Sequence, residues 1–169
     1  KNMTILEIGP GDSIATAVIA KAYGAKAILV DAKCFAKENI DFYIMLSESL
    51  KAYGLNPPDL YSADTLQDVL SFCDAEYLTE GLASWTEIPS DSVNFVFSQS
   101  VLECIFKEEF LPILSECRRV MLPNSIASHV VDLRDLLGDS LNNLRFSEQL
   151  WESYIFRSSG FYSNRIRYS

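Results

Sequence analysis

Thr4-Ile5-Leu6-Glu7-Ile8-Gly9-Pro10-Gly11-Asp12-Ser13 decides how this chain is read. An apolar run carrying one acid ends in two closely spaced glycines, and residues that start helices follow. Residues 4–8 predict a short buried strand closed by glycine. Gly9 and Gly11 let the backbone turn sharply and let a ligand approach with no Cβ in the way. Asp12 or Ser13 is placed to cap the next helix. Strand, glycine loop and helix together make the nucleotide-binding half of an open α/β sheet.

The glycine spacing bears on which nucleotide. The dinucleotide fingerprint G-x-G-x-x-G needs a small third residue to close helix against strand; here that place holds Ile14. A pyrophosphate also uses a bare, positive helix N-terminus, and Asp12 puts a carboxylate there. A cationic cofactor with an amino-acid tail tolerates that acid better. The stretch resembles motif I of the class I S-adenosylmethionine-dependent methyltransferases, acid-x-Gly-x-Gly-x-Gly. Glu7, Gly9 and Gly11 match it, Pro10 lies between the glycines, and Ser13 stands where the third glycine usually is. The resemblance implies a Rossmann-like α/β fold, a three-layer αβα open sheet that is mainly parallel. It implies S-adenosyl-L-methionine as cofactor, with contacts from Glu7, Gly9, Pro10 and Gly11.

The 169 residues suit one domain, 1–169, with a real core. Hydrophobic residues make up 49%, which excludes a disordered chain. No apolar run reaches membrane-spanning length and no signal peptide opens the chain, so the expectation is a cytoplasmic protein without membrane insertion. The net charge of −9 argues against nucleic acid as a partner. That charge is uneven. Every lysine lies at or before Lys107 and every arginine at or after Arg118, so the acidic excess falls in the first part of the chain. Cys34, Cys73, Cys104 and Cys117 form no C-x-x-C, and His129 is the single histidine. No metal site is expected, and the thiols read as reduced and mostly buried.

Further along, helix is expected over 13–23, with Ile14, Val18, Ile19 and Ala22 inward, and strand over 27–30. Asp31 ends that strand twenty residues after Gly11. A carboxylate there can accept from both ribose hydroxyls of a nucleoside; Asp31 and adjoining Ala32 are candidate cofactor contacts. Since Asp31 ends a strand, replacing it is expected to spare folding. Residues 33–75 read as a helical elaboration, with Phe42, Met45, Leu46, Leu50 and Tyr53 on one helix face. Asp64-x-x-Gln67 reads as a variant capping box for a second helix with Leu66, Val69, Leu70 and Cys73 inward.

Residues 76–79 predict a third strand. In the methyltransferase family the loop that follows reads the adenine, and counting back from Ile88-Pro89 places Ser84 and Trp85 at its contact pair. Two readings of Trp85 stand, pocket wall or core. Residues 93–97 predict a fourth strand, with Ser98 and Gln99 leaving its carboxyl end toward the cofactor. Residues 93 through 104 resemble the family's "hydrophobic-Asp-hydrophobic-Val-x-Ser… Leu-Glu-His" motif, with Asn94 in place of aspartate, Cys104 in place of histidine and Glu103 placed to anchor a loop. A helix is expected over 108–121 (stripe Phe110, Leu114, Cys117, Met121), stopped by Pro123-Asn124. Residues 126–131 predict a fifth strand ending at Asp132. Asp132 is the candidate catalytic base, while His129 reads more readily as a hydrogen-bonded core residue.

The segment 134–169 reads as a substrate-side tail over the carboxyl ends of the strands. It combines Trp151, Tyr154, Phe156, Phe161 and Tyr162 with Arg134, Arg145, Arg157, Arg165 and Arg167. Aromatic faces suit sugar rings and arginine forks suit anionic groups. Arg134 and Trp151 are the candidate substrate contacts. Ser128 through Asp135, Leu144 through Trp151 and Asn164 through Arg167 resemble bacterial methyltransferases associated with surface-polysaccharide synthesis, which implies a small, sugar-containing acceptor. The family's final antiparallel strand pair is expected to be missing from these residues. Two other readings stand: a methyltransferase-like binding module without turnover, and an NAD-dependent oxidoreductase.

Overall fold

A computed structural model describes residues 3–135 and 138–159. Phe161, Tyr162, Arg165 and Arg167, and with them part of the expected tail, lie outside the described residues.

Five strands form one sheet: β1 (Met3–Ile8), β2 (Ala25–Val30), β3 (Ala75–Leu78), β4 (Val93–Gln99) and β5 (Met121–Val130). Their order is β3-β2-β1-β4-β5, and every pairing is parallel. The chain winds outward from β1 through β2 to β3, then returns to build β4 and β5 on the other side of β1. That reversal makes the gap between β1 and β4 the topological switch point, and ligands bind at the carboxyl ends there. The fold is a Rossmann-like α/β sheet.

Helices cover both faces. Ile5, Ala27 and Leu29 face a core formed with α1 (Ala15–Ala22), α2 (Ile40–Ala52) and α3 (Leu66–Cys73). Leu6, Ile8, Val30 and Val96 face the opposite core, filled by Trp85 and Ile88 and by Ile113, Cys117 and Val120 of α4 (Lys107–Val120). Adjacent strand residues thus feed different cores, as strand alternation requires. Each fully buried aliphatic side chain contributes about 1.5–3 kcal/mol relative to exposure.

Several local expectations shift. The N-cap position of α1 is Ile14, but Ser13 Oγ accepts the first helical N–H, that of Ala15, and so does a cap's work from one residue earlier. Asp12 instead pairs with Lys37 at 2.8 Å in solvent, and Ile19 is 39% exposed. On α2 Tyr43 and Ser47 are buried and the expected Leu46 and Leu50 pack against the same core, while Phe42, Met45 and Tyr53 face water; the helix is capped by Asn39, which the hydrophobic pattern did not locate. The capping box of α3 uses Thr65 and Asp68, one residue beyond the expected pair. Its inward residues Val69, Leu70 and Cys73 are as expected. Helix α4 ends at Val120, and Pro123-Asn124 lies within β5 rather than stopping the helix. The chain absorbs it as an irregularity: Val93 pairs with Met121, but Phe95 pairs with Ile126, and Asn124 has φ 65°.

After β5, α5 (Glu148–Trp151) and α6 (Tyr154–Ser158) form a small unit against the start of α4. Arg157 lies 4.5 Å over the Phe106 ring and ion-pairs with Glu108, and Lys107 pairs with Glu148.

Candidate nucleoside site at the carboxyl ends of the strands

The glycine loop is held by its own protein. Gly9 N–H donates to Val30 O at 2.8 Å, and Gly11 N–H donates to Asp31 Oδ2 at 3.0 Å. Ile14 N–H donates to the buried Tyr43 hydroxyl at 3.0 Å, and Ala15 N–H to Ser13 Oγ at 3.1 Å. Both glycines have positive φ, 69° and 67°, which only glycine adopts without strain. They differ in surroundings. A Cβ on Gly9 would meet Val101 Cγ2 at 2.5 Å, whereas one on Gly11 would meet nothing within 4 Å.

Beside this loop is a cavity of about 420 Å³, lined among others by Ile8, Gly9, Val30, Asp31, Trp85 and Val101. Ala32, Phe35, Leu82 and Cys104 also reach it. It is an apolar slot bearing the Asp31 carboxylate, which suits a heterocycle joined to a hydroxylated sugar. Larger hollows lie elsewhere, of about 910 Å³ between α4 and the α5–α6 unit and of about 550 and 490 Å³ around Pro57 and Pro58. The glycine loop forms no part of any of the three, so the cavity beside it is the candidate site.

Asp31 is 9% exposed; besides Gly11 it accepts Ala32 N–H on Oδ1 at 2.7 Å. β2 lies between β3 and β1, so Asp31 emerges from the middle of the sheet rather than at an edge. Glu7 lies on the α1 side of β1. Burial pushes its carboxyl up from the ordinary value; a hydrogen bond with Thr16 opposes this and the nearby Asp31 charge adds to it. Glu7 Oε2 is buried with no partner among the described residues. Pro10 sits in the turn between the glycines, beside the cavity but outside its lining.

Ser84 and Trp85 lie in a 3-10 helix, Gly81–Glu87. Both are 1% exposed. Ser84 Oγ accepts Glu80 N–H at 2.9 Å, so it braces its own loop. Trp85 is at once core and cavity wall. Sequence reasoning missed what fixes it. Arg119 of α4 donates from Nη2 to Trp85 O at 2.7 Å and from Nη1 to Ile88 O at 2.9 Å, while Nε holds Glu116 at 2.8 Å. Tyr43, whose hydroxyl holds the first turn of α1, was also missed. No local pattern marks either residue, because both partners are distant in sequence.

Ser98 and Gln99 are the last residues of β4. Ser98 is 2% exposed and lies 2.8 Å from His129 Nδ1, while Gln99 is exposed. The expected base and substrate contacts fare differently. Arg134 grips Asp132 with a fork, Nε to Oδ1 at 3.0 Å and Nη2 to Oδ2 at 2.7 Å. These bonds hold the Asp132 carboxyl down at about 2, far from what a base at neutral pH needs. Arg134 is spent on Asp132 and on Asp139 at 3.4 Å. Trp151 is 0% exposed and stacks on Phe146 at 5.6 Å and against Phe156 at 4.8 Å. It is core of the α5–α6 unit and cannot meet a ligand there. Glu103, 4% exposed, accepts from the Asp132 backbone; burial pushes its carboxyl up, and its Oε2 has no partner among the described residues.

No protein-family model and no curated protein matches this chain. Among solved structures it is similar to Haemonchus contortus phosphoethanolamine N-methyltransferase 2, in complex with phosphomonomethylethanolamine and S-adenosylhomocysteine. That match has 16% identity over 75% of this chain and 24% of that one, with TM-score 0.45. It is similar to a SAM-dependent methyltransferase from Aquifex aeolicus, at 18% identity, 88% and 66% coverage and TM-score 0.49. It is also similar to PKMT2 from Rickettsia typhi in complex with AdoHcy, at 16% identity, 95% and 26% coverage and TM-score 0.48. The chain spans about a quarter of the length of the first and third of these.

Proposed function

We propose that this chain binds S-adenosylmethionine in the cavity beside Gly9 and Asp31 and transfers its methyl group to a small acceptor. One observation carries the reading: the N–H groups of Gly9, Gly11, Ile14 and Ala15 all donate within the protein. A pyrophosphate needs such donors free at the glycine loop and helix start. A cofactor without phosphates does not. The same observation disfavours the NAD-dependent reading, together with Ile14, which is 0% exposed in the core where the fingerprint wants a small residue.

The residues present fit this group. Each Asp31 oxygen holds one backbone N–H and keeps a second acceptor site for a ribose hydroxyl. Trp85, Leu82 and Phe35 give a heterocycle an apolar wall. The unpartnered Glu7 Oε2 supplies negative charge close to the glycine loop, suited to an ammonium end. When bound, the cofactor supplies an electrophilic methyl on a sulfonium. Transfer then depends mainly on holding the acceptor in line, so proximity and orientation provide much of the rate.

A sugar-containing acceptor and a bacterial source rest on the resemblance of the 128–167 segment alone. The net charge of −9 favours a small molecule over nucleic acid. The alternative of a binding module without turnover draws on Cys104, which stands where the family motif has histidine. Incubation with S-adenosylmethionine and a panel of small hydroxylated and glycosylated acceptors, reading S-adenosylhomocysteine release, separates the two. Acceptor-dependent release supports the enzyme; cofactor binding with no release for any acceptor supports the module.

A further inference from the structure

We infer that His129 is the base that takes the acceptor's proton, with Ser98 as its positioning residue. The inference rests on the methyl-transfer reading and assigns its missing base. Its foundation is a lateral row across the sheet. Val30 pairs with Ile8, Ile8 with Ser98, and Ser98 with His129. In-register partners in neighbouring strands point to the same face, so the four side chains form one line near the carboxyl edge. Val30 and Ile8 line the cavity. Ser98 and His129 lie outside that lining and continue the row toward β5, at about 4.8 Å per strand. An imidazole two strands from Ile8 stands about 10 Å along that row, beside a cofactor rather than beneath it. An acceptor would lie there.

The ring is oriented. Nδ1 lies 2.8 Å from Ser98 Oγ, and Ser98 is 2% exposed, so this contact is shielded from water. Among the described residues His129 Nε2 has no hydrogen-bond partner. When Ser98 accepts from Nδ1–H, the lone pair of Nε2 is the basic site. Burial lowers the imidazole's proton affinity and no charged neighbour perturbs it, so the ring is neutral near pH 7. Of the other acids at this end of the sheet, Asp132 is held by Arg134, whereas Glu103 is 4% exposed with its Oε2 unpartnered and is the rival base. In the step, the acceptor's proton passes to Nε2 and then to solvent. The acceptor oxygen bonds to the methyl carbon while the methyl–sulfur bond breaks, its electron pair staying on sulfur.

With a single histidine in the chain, imidazole nitrogen NMR reports on His129 without assignment variants. The expected spectrum shows one tautomer, Nδ1 protonated and Nε2 bare. Ser98→Ala should turn that into a mixture. S-adenosylhomocysteine, with binding followed in parallel by calorimetry, should shift the imidazole signals. His129→Gln should leave that binding within about twofold and lower methyl transfer to any acceptor found by about 10²-fold or more. An Nε2-protonated tautomer overturns the inference, as do signals unmoved when calorimetry shows binding. Absence of any calorimetric binding instead overturns the cofactor reading, and the inference falls with it.

Discussion

Asp31 and Gly11 are tied directly: the carboxylate Oδ2 accepts the Gly11 N–H at 3.0 Å across the carboxyl ends of β2 and β1. The residue expected only to read a ribose also fixes the turn that the ribose would lie against. Asp31→Ala should therefore weaken S-adenosylhomocysteine by about 1–3 kcal/mol and destabilise the ligand-free fold by a similar amount. Calorimetry and denaturant unfolding measure the two. A binding loss with unchanged stability would mean that the Gly11 bond carries no weight.

The two glycines of the loop should respond differently. Gly9→Ala meets Val101 at 2.5 Å and takes a strained φ, so it should cost more than the ~1–2 kcal/mol of the left-handed backbone alone. Adding Val101→Ala should recover part of that. Gly11→Ala has open space around its Cβ, so its stability cost should stay near the backbone value. Unfolding curves of the three variants check the order.

Glu7 sets a pH dependence. Its carboxyl is raised above the ordinary 4.5 by burial, so the folded chain holds this proton more tightly than the unfolded one. Ionisation of Glu7 then costs folded-state stability as pH rises from about 4.5 through the raised value. Glu7→Gln should melt higher than the native protein at neutral pH, with the gap closing as pH falls toward 4.5. A gap independent of pH would contradict the burial argument. The same variant should lose cofactor affinity, because the unpartnered acceptor becomes uncharged.

The thiols should fall into two classes. Burial pushes Cys73 and Cys117 up to about 12, whereas Cys34 and Cys104 are exposed. A thiol reagent should modify the latter two in the native state and the former two only on unfolding. Since Cys104 lines the cavity, S-adenosylhomocysteine should slow its reaction. Mass mapping of labelled peptides identifies which thiols react.

The sheet was legible because its signals are local: short apolar runs, with β1 closed by Gly9 and β2 by Asp31. Gly9, Gly11 and Asp31 followed from one motif and one spacing. Solvent-facing and inward helix residues were harder to separate. On α2 an apolar stripe exists, but Tyr43, one place off it, is the buried residue because its hydroxyl has a partner in the glycine loop. The tail carries the same ambiguity. Trp151 and Arg134 have the right chemistry for a ligand, yet Phe146 and Phe156 enclose the first and Asp132 holds the second. Composition shows what a side chain can bind, not what already binds it. The Arg119 clamp on Trp85 is of the same kind, joining residues 34 apart.

The central claim is that this glycine loop serves a cofactor without phosphates. Isothermal calorimetry with S-adenosylhomocysteine and NAD in parallel tests it most directly. The account predicts saturable binding of S-adenosylhomocysteine at one site per chain and no heat from NAD; binding of NAD with none for the sulfur nucleoside would contradict it.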